Sequence, residues 1–269
     1  MKRRECSKFS MCLLLIVFLI LGGCSSNGSS TSTGESKSSS SVESEEVSSS
    51  VPEKSSIEIV FSNGKNLLKY NTGANDNNVV FLSEIKNTSN VQLSLDDISI
   101  EVNDPKGKLV GVVDYIYARP TVIDPGESAY ICEELISGLH ASLGKDITNE
   151  QCATAKCIIN YRESSGIIPV DGEFKELDIF STDDGCVAAN GRAVSYQENT
   201  IDEAYVIIPV KDQSNNLQTV LVDMLPQSLT PNTPVAFTTQ DFESVPDIDL
   251  DSINIDGAII CGPRKMFGY

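Results

Sequence analysis

The sequence predicts an all-β protein built as two tandem sandwiches, and three observations carry that reading. Past Ser56, apolar and polar residues alternate in short runs, the period of a half-buried strand. Turn-forming clusters separate the runs at roughly 8–12-residue spacing, as in sandwiches and barrels. The whole pattern then recurs about 104 to 108 residues further on. No long stretch has helical spacing, and the best helical candidate is a turn or two around Glu133 to Leu143. At 269 residues, the chain has room for two modest domains plus non-globular sequence.

In the first copy, Val79 to Lys86 is a strand-like run closed by Asn87-Thr88-Ser89-Asn90. That closing segment fits a glycosylation sequon but reads as a turn between strands. Asp97-Ile98-Ser99-Ile100-Glu101-Val102 alternates cleanly and stops at Asn103-Asp104-Pro105-Lys106-Gly107. Leu109 to Tyr117 is rich in β-branched and aromatic residues, which suit a pleated surface. Asp124-Pro125-Gly126-Glu127 is a turn before Ala129-Tyr130-Ile131-Cys132, and Cys157 to Tyr161 is a further apolar run.

In the second copy, Ile201 to Ile208 parallels Leu95 to Val102, and Asp212 to Asn216 takes the place of the Asp104 turn. Leu217 to Leu225 answers the Leu109 strand, Leu229 to Asn232 the Asp124 turn, and Ile259-Ile260-Cys261 the Cys157 strand. The junction falls near Gly166 to Phe174. Pro209 lacks an N–H, so its strand is expected to be an edge or to carry a bulge there.

Glu84-Ile85-Lys86-Asn87-Thr88-Ser89, Ile98 to Gly111 and Ile123 to Ser128 together resemble the FxLYD group of bacterial immunoglobulin-like modules. The likeness covers about 50 residues of the first copy and is more degraded in the second. The stretch that gives the group its name reads Ile100-Glu101-Val102-Asn103-Asp104 here, keeping only the Asp. The resemblance implies immunoglobulin-like β-sandwich domains over residues 57–170 and 171–269, with no catalytic residues.

The N-terminus supplies an address. Lys2, Arg3 and Arg4 precede a continuous apolar run from Cys12 to Leu21, too short to span a bilayer but suited to a signal peptide. Leu21-Gly22-Gly23-Cys24 resembles a bacterial lipobox. The resemblance implies cleavage of residues 1–23, diacylglycerol on Cys24 and a lipid anchor on the extracytoplasmic face of the cell membrane. Half of residues 25–56 are Ser, which predicts a disordered tether over 24–56. The net charge is -18, which argues against nucleic acid as a partner.

Candidate sites are sparse. Asp247, Asp249 and Asp251 alternate on an expected strand face and form a weak Ca2+ candidate, though the EF-hand positions fail. Tyr115 and Tyr117 share an expected strand face and are candidates for stacking on sugar rings. The odd set Cys132, Cys152, Cys157, Cys186 and Cys261 lacks paired zinc spacing. Reduced, buried thiols are expected, with a Cys132–Cys157 or a Cys186–Cys261 disulfide as the alternatives. His140 is the single histidine, and no triad, Walker or metalloprotease motif is present. The expectation is a non-enzymatic, cofactor-free binding or spacer module for an unknown protein or carbohydrate ligand. The alternative is an accessory or chaperone-like subunit that docks on a membrane complex through a sheet edge.

Overall fold

The structure, a computed structural model, describes residues 57–61, 67–71, 77–144, 147–182, 186–240 and 248–268. The expected leader, the lipobox-like segment with Cys24 and the serine-rich stretch lie outside them. The fold is all-β, with four antiparallel sheets and two short helices among the described residues.

The first sheet is centred on β3 (Asn77–Asn87). Strands β1 (Ile57–Phe61) and β2 (Leu67–Asn71) pair end to end along one side, and β7 (Ser128–Glu134) pairs along the other. The second sheet is centred on β4 (Leu93–Asn103). Strands β5 (Leu109–Ile116) and β6 (Val122–Ile123) flank one side, and β8 (Thr154–Glu163) the other. Alternation puts Phe81, Ile85 and Ile131 of the first sheet against Ile98, Ile100 and Cys157 of the second, in one dry core. Helix α1 (Ile136–Leu143) stands where the sequence placed its helical candidate and drops Leu139 into that core. Gly138 permits the close approach, because a Cβ there would lie 2.6 Å from Val113 Cγ1. The Glu134 carboxylate accepts the Ile136 and Ser137 amides at 2.6 and 3.0 Å, satisfying donors that the first helical turn leaves open.

The strand pairing then repeats. Strand β10 (Val187–Ser195) lies between β9 (Gly172–Ser181) and β13 (Val235–Gln240). Strand β11 (Tyr205–Asp212) lies between β12 (Leu217–Met224) on one side and β14 (Ile253–Asn254) with β15 (Ile259–Cys261) on the other. Val206, Ile208, Leu221 and Phe237 are among the residues filling the second core. The matched turns have matched chemistry. Asp104 Oδ1 accepts the Lys106 and Lys108 amides at 2.8 and 2.9 Å, and Asp212 Oδ1 accepts those of Ser214 and Asn216 at the same distances. The Lys108 amide holds the Asp104 carboxyl below its ordinary range.

Pro209 corrects one expectation. Its strand is central in its sheet, and the bulge falls one step later, between Val210 and Lys211. The missing N–H is tolerated because Pro209 sits opposite the gap that β14 and β15 leave between them.

All described residues belong to one compact unit, Val51–Tyr269, and a third apolar cluster explains why. Val80, Leu82 and Tyr130 point away from the first core and meet Ile207, Leu217 and Cys261, which point away from the second. Two buried lysines accompany this seam and form three ion pairs. Lys211 Nζ lies 2.8 Å from Glu84 Oε2, and Ser128 Oγ donates to the other Glu84 oxygen at 2.6 Å. Helix α2 (Pro263–Phe267) brings Lys265 Nζ to 2.6 Å from both Asp124 Oδ2 and Glu127 Oε2, in the turn that opens β7.

The Lys265 cluster sets a pH dependence. Burial pushes the Asp124 carboxyl up, but hydrogen bonds from Lys265 and Gln92 outweigh it and leave the group below its ordinary value of 3.8. Burial pushes Lys265 down, and the two carboxylates outweigh it, so its ammonium titrates above 10.5. A depressed carboxyl stabilises the fold above its unfolded pKa and loses that contribution as pH falls through the folded one. The raised ammonium contributes below 10.5 and loses its share only in stronger alkali. Urea unfolding of Lys265→Met at neutral pH should therefore show a loss of about 3 kcal/mol. Below about pH 4 the gap between variant and wild type should narrow. A gap that does not change with acid would contradict the pairing.

Candidate functional site

Two β-bulges meet on the outer face of the second sheet. Between Ile98↔Ile116 and Ile100↔Val113, β5 holds one residue more than β4, so Asp114 and Tyr115 stand opposite Ser99 alone. Between Leu95↔Tyr161 and Ile98↔Ile159, β4 holds one residue more than β8, so Asp96 and Asp97 stand opposite Asn160 alone. Each bulge turns two successive side chains outward while Leu95, Ile98, Val113 and Ile116 stay buried. The result is a recess of about 480 Å³ whose lining includes Asp97, Ser99, Asp114, Tyr115, Tyr117 and Asn160. It shares Asp96, Asp97, Ile98, Ile116 and Tyr117 with a neighbouring cleft of about 680 Å³ that runs on to Arg119 and Phe267.

Tyr115 is the residue on which this surface turns. The residue is 87% exposed, and Tyr117 is 62% exposed. Tyr115 also has φ +62, a left-handed conformation that a side chain with a Cβ disfavours by about 1–2 kcal/mol. A large apolar ring is thus held in water on a strained backbone. In the second repeat, β11 and β12 pair without interruption from Tyr205↔Met224 to Val210↔Thr219. The fold forms there without this bulge. Asp96 is engaged by Arg162, whose Nε lies 3.1 Å from Oδ2, whereas Asp97 and Asp114 make no ion pair among the described residues.

The other sequence candidates are placed as follows. Tyr115 and Tyr117 both line the recess, but they do not share a strand face: Tyr115 is turned outward by the bulge in β5, and Tyr117 lies just past the end of that strand. Asp247 lies outside the described residues. Asp249 and Asp251 are not on a strand: Asp249 caps a 3-10 turn over Leu250–Ser252, accepting the Asp251 amide at 3.2 Å and Ser252 Oγ at 2.9 Å. Its oxygens serve the turn, and no group of three or more His, Cys, Asp or Glu able to hold a metal occurs among the described residues. The five cysteines are thiols. The Cys132–Cys157 alternative is corrected by geometry, because Cys157 faces the first core and Cys132 faces the seam, 3.8 Å from Thr219 Oγ1. Nor do Cys186 and Cys261 bridge: Cys186 immediately precedes β10, and Cys261 lies in the seam. His140 is exposed on α1 while Cys152 is fully buried. Burial pushes the Cys152 thiol up, and Cys157 and Cys261 are both pushed up to about 12. Such thiols are protonated at neutral pH and poor nucleophiles.

The sequence reading missed Asp97, Asp114, Asn160 and Phe267. A signal was present in β4 and β5. The apolar positions run 93, 95 and then 98, 100, 102 in β4, and 113 then 116 in β5, and each change from odd to even marks an extra residue.

No protein-family model and no curated protein matches the chain. Among solved structures, the FMN-binding beta-glucuronidase from Facaelibacterium prausnitzii L2-6 is similar over 77% of this chain and 39% of that one, at 12% identity and a TM-score of 0.15. The chain thus spans well under half the length of that enzyme, and a likeness at this TM-score carries no argument about function.

The thiol environments make a direct prediction. Alkylation of the native protein with iodoacetamide at about pH 8 should leave Cys152, Cys157 and Cys261 unmodified, and denaturant should release them. Mass mapping of labelled peptides reads the outcome, and rapid native labelling of Cys157 would contradict the packing.

Proposed function

We propose that the protein is a non-enzymatic lipoprotein, anchored through Cys24 on the extracytoplasmic face of the membrane, that presents the Tyr115–Tyr117 face as a binding surface. The observation that carries this reading is the pair of exposed tyrosines over a recess built by two bulges, one of which the second repeat lacks. Bulges that re-aim side chains are enriched next to functional sites. Strain at a solvent-facing ring has no packing benefit to offset it. The lipobox-like Leu21-Gly22-Gly23-Cys24 supports the anchor, and the serine-rich stretch after it supports a tether between anchor and binding face. The FxLYD resemblance supports two immunoglobulin-like sandwich units as the scaffold.

The alternative, docking through a sheet edge, has less support. The long edge strand β9 carries Glu173, Lys175, Glu176 and Asp178, and its pairing with β10 is broken by a bulge at Glu176–Leu177. Charges and bulges on an edge oppose the addition of a further strand.

Metabolic labelling tests the anchor. In a host that processes lipoproteins, the wild type should incorporate labelled palmitate, partition into detergent and resist a high-salt wash, since an apolar anchor is not screened by ions. Cys24→Ser should lose the label entirely. A wild type that carries no label would overturn the localisation.

A further inference from the structure

We propose that the double-bulge recess is a saccharide-binding site whose ligand is a neutral glycan chain. The inference rests on the reading of the Tyr115–Tyr117 face as the binding surface and names what that surface takes.

A pyranose ring offers two kinds of surface. Its faces are lined with C–H groups and are apolar, while its rim carries hydroxyls that both donate and accept. A site for it therefore needs exposed aromatic faces beside planar acceptors and donors. The recess supplies both. Tyr115 and Tyr117 supply the aromatic rings, and as residues they are 87% and 62% exposed. Asp97 and Asp114 offer carboxylate acceptors, and the Asn160 amide adds a donor and an acceptor. The bulges are what put these groups side by side, because a regular ladder would have turned Asp96 or Asp97, and Asp114 or Tyr115, into the core.

The charge pattern narrows the class. Carboxylates at the recess and a net charge of -18 on the chain repel phosphorylated, sulfated or uronic acid polymers. The recess and the adjoining cleft are continuous through Ile116 and Tyr117, so a chain of sugar units can run from Tyr115 toward Phe267, which is 45% exposed. A cationic peptide is the competing ligand, since an aromatic face beside a carboxylate also receives guanidinium. Salt separates the two. Stacking and hydroxyl hydrogen bonds persist as ionic strength rises, whereas exposed ion pairs are screened.

The test uses the full lipidated chain in a polyoxyethylene detergent, because a sugar-headed detergent would compete. Immobilised cello-, chito-, xylo- and malto-oligosaccharides are probed alongside oligo-arginine. The wild type should bind at least one neutral series, with affinity changing less than about twofold between roughly 0.05 and 0.5 M salt. Tyr117→Ala should weaken that binding by about tenfold. Tyr115→Asn should weaken it similarly while raising the melting temperature by about 2–4 °C, because Asn tolerates the left-handed backbone better. A packing residue would lose stability together with binding. Failure of every neutral glycan to bind overturns the proposal, as does binding that both variants retain. Tyr-dependent, salt-sensitive capture of oligo-arginine alone would overturn the glycan and leave the binding face standing. Silence toward both probes would remove the binding face as well.

Discussion

The seam between the two sheet pairs is the constraint on which the rest of the structure depends. A sheet packed on one face can alternate apolar and polar residues, but β3 and β11 are packed on both faces and must be apolar on both. Val79 and Phe81 fill the first core while Val80 and Leu82 fill the seam, and Val206 and Ile208 fill the second core while Ile207 fills the seam. The two inner sheets are thereby committed to each other, while the two outer sheets turn exposed residues away from the cores. Among these outer faces, the one carrying β4, β5 and β8 holds the tyrosine recess. The location of the candidate site follows from which faces the seam consumes.

The buried charges beside the seam are paired. Lys211 is buried against Glu84 and lies 5.5 Å from the centre of the Tyr130 ring, and Lys265 is buried against Asp124 and Glu127. Buried pairs add little net stability over an apolar replacement, but breaking one strands a charge. They therefore act as registration marks between the repeats. Lys211 extends from the second repeat to β3 of the first, and α2 extends from the C-terminal end to the turn that opens β7.

Much of the fold was legible in the sequence, because strand periodicity and turn chemistry are local. The matched Asp104 and Asp212 turns, the helix near Glu133 to Leu143 and the order of repeated strands all follow from short segments. The seam was harder to see. Val79-Val80-Phe81-Leu82 is as apolar as a doubly packed strand must be, yet such a run does not name its second partner. The site was half legible: Tyr115 and Tyr117 stood out as aromatics, but their neighbours Asp97, Asp114 and Asn160 come from three strands. Only pairing brings those together. Asp249 misled for the opposite reason, since alternating Asp residues suit a strand face and a capped 3-10 turn equally well, and the turn won by giving the carboxylate two local donors.

The central claim is that the β5 bulge exists for the surface and not for the fold. Deleting Tyr115 tests it most directly. The deletion would place Asp114 opposite Ser99 and Ile116 opposite Ile98 in an unbroken ladder, the arrangement β11 and β12 already adopt in the second repeat. The account predicts that urea unfolding of this variant remains cooperative, with a midpoint no lower than that of the wild type, because the lost residue removes a strained backbone and no buried contact. A loss of more than about 2 kcal/mol would show that the bulge is structural and would contradict the account.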